Sequence, residues 1–125
     1  MSTTLRDVPN NAVLKFGLTP RTLNASANGS AQDFITGDGR CFAIQAVGTV
    51  GGTSPTLAGK IQESPDGTTW SDISGAAFTP VAASDNLQTI AFDRTQRYLR
   101  YAGTVGGTSP TIPAAVLIGE QKKQV

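Results

Sequence analysis

The string G-T-V-G-G-T-S-P-T occurs twice in this chain of 125 residues, at Gly48–Thr56 and again at Gly103–Thr111. Nine consecutive identities at one offset mark a repeated structural unit, and what the copies share is turn chemistry. Gly51-Gly52 and Gly106-Gly107 admit positive φ, while Pro55 and Pro110 fix φ and remove a backbone donor. Each copy lies between two runs of alternating apolar residues, the pattern of a β-hairpin with a long, structured loop. The likeness continues outward with its parity kept: Ile44 matches Leu99, Ala46 matches Tyr101, Leu57 matches Ile112, Gly59 matches Ala114 and Ile61 matches Val116. On strands those positions alternate to one face, so the expectation is two similar hairpins burying the same side. Two copies are too few to stack into a solenoid. The repeat is therefore either a stable turn used twice or a pair of contact tips, with Thr53, Ser54, Thr108 and Ser109 as the residues that would make the contact.

Working outward, the chain reads as one β domain. Its 14 Gly, 7 Pro and many small hydroxyl residues accompany no convincing amphipathic helix. Ala12–Thr19 alternates as a strand that Pro20 ends; Leu23–Ala27 and Ala31–Thr36 are shorter candidates. Cys41–Val50 with Thr56–Ser64 forms the first hairpin, and Arg97–Val105 with Thr111–Gly119 the second. Ser64-Pro65-Asp66-Gly67 is a type I turn with Gly in the left-handed position, leading into Thr69–Ile73. Gly75–Asn86 reads as a loop anchored by Phe78 and Val81, followed by a strand over Leu87–Asp93. Eight or nine short strands at this spacing predict a two-sheet antiparallel sandwich, jelly-roll or immunoglobulin-like. The domain spans 12–119, with an extended N-terminal arm at 1–11 and a flexible C-terminal tail at 120–125. The expected core is Leu14, Phe16, Leu18, Phe42, Ile44, Leu57, Ile61, Trp70, Phe78, Ile90, Phe92, Leu99, Tyr101, Ile112, Val116 and Ile118.

The net charge of +1 draws the chain toward neither nucleic acid nor membrane, but it is unevenly spread. Residues 33–93 are acidic, while the stretches on either side, 1–32 and 94–125, are basic. Such a molecule is suited to docking on copies of itself or on a polar lattice. No run of apolar residues reaches membrane-spanning length, and Met1–Asn11 lacks the apolar centre of a secretory signal. Synthesis in a reducing cytoplasm is the expectation. The single cysteine, Cys41, opens an apolar strand and reads as a buried thiol.

The chain has no histidine, which removes the imidazole triads and imidazole zinc sites. One cysteine builds no thiolate metal site. The carboxylates sit mostly in or beside turns, where Asp accepts backbone hydrogen bonds. The Gly-rich repeats lack the Lys and following helix of a phosphate loop. The expectation is no enzyme, no cofactor and no metal. Ser64–Trp70 resembles the Asp-box turn of sialidase propellers but is one residue short and occurs once, which suits convergent turn design. Arg94, Arg97 and Arg100 interleave with Tyr98 and Tyr101, yet alternation sends Arg97 and Tyr101 to one side and Tyr98 and Arg100 to the other. A nucleic-acid platform is therefore not expected, and these arginines are candidates for a protein interface. Leu5, Arg6 and Val8 of the arm are further candidates.

The repeat, followed by a strand and then Gln62-x-Ser64-x-Asp66-Gly67-x-x-Trp70, resembles small virion structural proteins of tailed-phage and prophage morphogenesis clusters. In those proteins the strand before the closing G-T-V element reads like Gln96-Arg97-Tyr98-Leu99-Arg100-Tyr101. The resemblance covers roughly residues 40–118 and carries no catalytic residue to transfer. It implies a non-enzymatic head decoration (cement) protein on the capsid exterior, bound to the major capsid protein and assembled as a homo-oligomer, with a trimer favoured. The alternative is a receptor- or carbohydrate-binding module, or another tail or neck component of the particle; the scarcity of aromatic residues speaks against a sugar platform.

Overall fold

The computed structural model describes residues 12–34 and 37–122. They form eight strands: β1 (Ala12–Leu23), β2 (Ala27–Asn28), β3 (Gln32–Asp33), β4 (Gly37–Val47), β5 (Gly51–Ser64), β6 (Ser71–Ala77), β7 (Asn86–Asp93) and β8 (Tyr98–Lys122). Every pairing is antiparallel. A front sheet runs β1, the second half of β8, β4, β7. A back sheet runs β6, β5, the first half of β8, then β2 and β3. The chain is an all-β antiparallel sandwich, made barrel-like where β1 approaches β3 and β6 approaches β7.

The repeats do not close two hairpins. Strands β4 and β5, expected to pair with each other, lie in different sheets, and each repeat is the crossover between them. The partner of each repeat is the other repeat: Gly51 faces Thr111, Thr56 faces Gly106, and Thr53 faces Thr108. These pairs exchange under the 55-residue offset, with Thr53 and Thr108 astride a local two-fold axis. Gly52 and Gly107, at φ 99° and 105°, let the two backbones approach so closely that a Cβ on either would lie 2.5 or 2.6 Å from a carbonyl oxygen of Ser109 or Ser54. Ser54 and Ser109 also take positive φ, 51° and 48°.

The two-fold relation extends through the domain. β1 corresponds to β6, β2–β3 to β7, β4 to the first half of β8, and β5 to its second half. The same four-strand unit thus occurs twice, and each sheet contains strands of both units. Tyr101 fills the centre, donating its hydroxyl to Gln45 Oε1 at 2.6 Å. Burial in these surroundings pushes the Tyr101 phenol well above its ordinary range.

The shared parity fails in one strand. Leu99 and Tyr101 are buried, but in β4 the buried positions are Cys41, Ala43, Gln45 and Val47, while Phe42 and Ile44 point out of the sandwich. The correspondence before the repeats is therefore shifted by one residue, placing Gln45 opposite Tyr101. The interior beside the Tyr101 ring admits only small or slender groups there. Leu14 and Phe16 of the expected core are likewise outside, 55% and 46% exposed. Trp70 is half-buried beneath Arg100, and Ile90 packs at the margin of the core. The remaining expected core residues are interior, joined by Leu23, Phe34, Ala76, Val81 and Ala114.

Strand β8 also continues beyond the expected boundary at Gly119. Glu120 is fully buried, so it belongs to the sandwich and not to a tail. Its carboxylate accepts from Arg94 Nε and Nη2, from the Gly39 amide at 2.9 Å and from the Cys41 thiol at 3.4 Å. A buried carboxylate in apolar surroundings requires such pairing. The expected arm at 1–11 lies outside the described residues.

Candidate functional site

The outward faces of the two sheets have different chemistry. On the back sheet, side chains satisfy one another. Lys60 Nζ meets Asp72 Oδ2 at 3.1 Å, Gln62 Nε2 donates to Asp72 Oδ1 at 2.8 Å, and Arg100 Nε donates to Gln62 Oε1 at 2.9 Å. The Arg100 guanidinium sits 4.5 Å above the Trp70 ring. Hydrogen bonds from Gln62 and Lys60 hold the Asp72 carboxyl below the ordinary carboxylate range. At the sheet margin Arg97 forms a two-pronged pair with Asp33, at 2.9 and 2.7 Å, and lies 5.1 Å from the Tyr98 ring centre.

The front sheet presents an apolar outer face. Strand register places its residues in cross-strand rows: Leu14, Gly119, Phe42 and Ala91; then Phe16, Leu117, Ile44 and Thr89; then Ala115, Ala46 and Leu87. None of these carries a charge. Leu87 is 70% exposed and is, with Leu14 and Phe16, the most exposed large apolar group among the described residues. The Phe42 ring lies over Gly119, in space that a Cβ would occupy. Polar groups bound the face at one end, where Arg40 Nη1 pairs with Asp93 Oδ1 at 3.2 Å. At the other end β1 bulges, and an open depression of about 470 Å³ forms among Pro20, Arg21, Thr22, Ala46, Pro113 and Ala115.

The residues singled out in the sequence are dispersed. Thr53, Ser54, Thr108 and Ser109 come together, all exposed, on the paired repeats. Arg97 and Arg100 lie on the back sheet in the pairings given above. The guanidinium of Arg94 is turned inward, donating to the carbonyls of Phe34 and Gln96 as well as to Glu120. Leu5, Arg6 and Val8 lie outside the described residues. The apolar face is not among the sequence expectations, which place four of its largest residues, Leu14, Phe16, Phe42 and Ile44, in the core. The available signal was apolar residues on both parities of one strand, as in Cys41–Val47 and Ala114–Ile118.

The turn at Ser64–Gly67 matches its sequence reading. Gly67 has φ 81°, and Asp66 Oδ1 accepts the amides of Thr68 and Thr69 at 2.9 and 3.0 Å. Those bonds, that of Thr69 first, hold the Asp66 carboxyl far below its ordinary range. Trp70 leaves this turn toward Arg100, so the turn motif serves the back sheet. Among the described residues no three His, Cys, Asp or Glu side chains converge as a metal site, and no helix is long and apolar enough to cross a membrane.

No protein-family model matches the chain, and no curated protein matches it either. Solved structures do. The PBSX exported protein XepA superposes on 90% of this chain with a TM-score of 0.62 at 17% identity, and the chain spans 38% of the length of XepA. The SPBc2 prophage-derived protein YomS matches 88% of this chain and 94% of its own length, with a TM-score of 0.50 and 9% identity. The C-terminal domain of the sugar-binding protein EclA reaches a TM-score of 0.39 at 15% identity, over 84% of this chain and 76% of that one. At these identities the likeness is one of fold.

Proposed function

We propose that this chain is a non-enzymatic structural protein of a tailed-phage particle, which binds the assembled capsid shell from outside and stabilises it. The observation that carries the reading is the outer face of the front sheet. A charge-free apolar face bounded by polar groups has the anatomy of a protein–protein contact. The groups that could do chemistry are engaged in structure: Glu120 with Arg94 and Cys41, Asp66 with its turn, Asp72 with Lys60 and Gln62. The particle context draws on the virion-protein resemblance of residues 40–118 and on the prophage origin named for YomS. Many copies of a modest contact on a lattice sum through multivalency, which suits a cement role. The partner is the major capsid protein, and the protein acts as a homo-oligomer without nucleic acid, membrane or cofactor.

The test is co-sedimentation of the purified protein with mature heads that lack it. Saturation at a fixed number of copies per capsomer is the expected result. Absence of binding to heads, with binding to tails or necks instead, would move the protein to that part of the particle. Binding to a glycan array and not to particles would replace the reading with a receptor-recognition role.

A further inference from the structure

We infer that the occupant of the apolar front face is a second copy of this chain, packed sheet against sheet about a two-fold axis parallel to the strands. The inference rests on the reading of that face as a protein contact, assigns it to self-association, and leaves attachment to the shell to the paired repeats. Sheets bury an apolar face against another sheet about 10 Å away, with strand directions nearly aligned, and the relief of this face fits its own copy.

The projecting groups stand on the two outer strands, Leu14 and Phe16 on β1 and Leu87 on β7. A two-fold axis along the strands brings β1 of one copy over β7 of the other. Leu14 then meets Ala91 and Phe16 meets Thr89, both smaller side chains, while between them Gly119 meets Phe42 and Leu117 meets Ile44. Leu87 meets the β1 side of its own row, where the bulge after Phe16 opens the depression beside Ala115. Projections fall on hollows at all three places, twice over by symmetry.

Charge follows the same geometry. Arg21 is exposed at the depression, opposite Ala114, and Ala114 continues across the sheet through Val47 to Asn86. The same operation therefore sets Arg21 of one copy against the exposed Asp85 of the other, beside Asn86. At the opposite end Asp93 comes over Ala12, where no like charge opposes it.

Four strands about 4.8 Å apart and about seven residues of 3.4 Å give a footprint of roughly 450 Å² per copy, or about 900 Å² for the pair. That lies below the roughly 1,200 Å² of stable specific interfaces and within the range of weak, transient ones, so the dimer forms reversibly with concentration. The axis keeps strand direction, so both pairs of crossed repeats, with Thr53, Ser54, Thr108 and Ser109, emerge at one end of the dimer. A two-headed unit of this kind suits attachment to a repeating lattice.

Sedimentation equilibrium of the full chain over a wide concentration range tests the inference. The mass is expected to rise from the 12.9 kDa of one chain toward twice that value. Leu87→Asp should weaken dimerisation at least about tenfold while leaving unchanged the thermal midpoint measured at concentrations where both chains are monomeric, which separates loss of contact from loss of fold. Arg21→Gln and Asp85→Asn should each weaken it, and the double variant should be no weaker than either single one. A monomeric mass at every concentration, a trimeric mass, or a Leu87→Asp variant that still dimerises would overturn the inference. Dimers that fail to sediment with heads would refute the shell reading alone; monomers that bind heads would refute this inference alone.

Discussion

The front and back sheets are built from corresponding strands, and yet their outer faces are opposites. On the back sheet, Lys60, Asp72, Gln62, Arg100 and Trp70 form a chain of contacts in which each polar group finds its partner within the same molecule. On the front sheet, the facing rows hold Leu14, Phe16, Leu117, Phe42, Ile44 and Leu87, with no charge among them. A sandwich needs only its inner faces apolar to fold. The internal duplication therefore explains the frame, and the difference between the outer faces points to function. One face is finished within the chain; the other is left apolar and uncharged.

The largest expected effect tests whether the frame is as symmetric as the comparison assumes. Gly52→Ala and Gly107→Ala each place a Cβ against the backbone of the opposite repeat at positive φ. Each should lower stability by about 3 kcal/mol, from strain and overpacking together. Denaturant titration should give the two variants similar losses, since their environments correspond. A large loss in one and none in the other would break the equivalence of the halves.

A smaller effect separates the faces directly. Arg100→Ala removes the stacking on Trp70 and the bond to Gln62, and should cost about 1–2 kcal/mol by denaturant titration. Leu87→Ala on the front face should change stability by less than about 0.5 kcal/mol and lower the binding of a hydrophobic dye. Equal stability losses at the two positions would show that both faces serve folding alike.

The smallest effect lies in the turn that delivers Trp70 to the back sheet. Hydrogen bonds from the Thr69 and Thr68 amides depress the folded-state Asp66 pKa. The stabilisation is complete above the unfolded carboxylate value of about 4 and is lost as pH falls toward the folded value. The stability gap between wild type and Asp66→Asn should be constant from neutral pH to about pH 5 and narrow below about pH 4. A gap that widened in acid would contradict this role for the carboxylate.

Much of the fold was legible because local chemistry carried it. The turn at Ser64–Gly67, the burial of Cys41, Phe78 and Val81, and the opposite facing of Arg100 and Leu99 all follow from residue type and strand alternation. The candidate face was not legible, because in Cys41-Phe42-Ala43-Ile44-Gln45-Ala46-Val47 both parities read as apolar. Size would choose Phe42 and Ile44 for the interior; the Tyr101 ring on the other sheet already occupies that space and turns them out. Glu120 was misread for a related reason. A carboxylate near the end of the chain looks solvated until Arg94, 26 residues earlier, is seen to reach it.

The sequence by itself determined an all-β sandwich, its turns, and a unit repeated at an offset of 55, because φ preferences and period-two alternation are properties of neighbouring residues. Only the tertiary structure decided that the two repeats cross each other instead of closing two hairpins, and which side of β4 faces inward. Both depend on contacts between residues distant along the chain. Pairing across Gly51–Thr56 and Gly106–Thr111 needs the two halves brought together, and the inward face of β4 is set by the volume that Tyr101 leaves free.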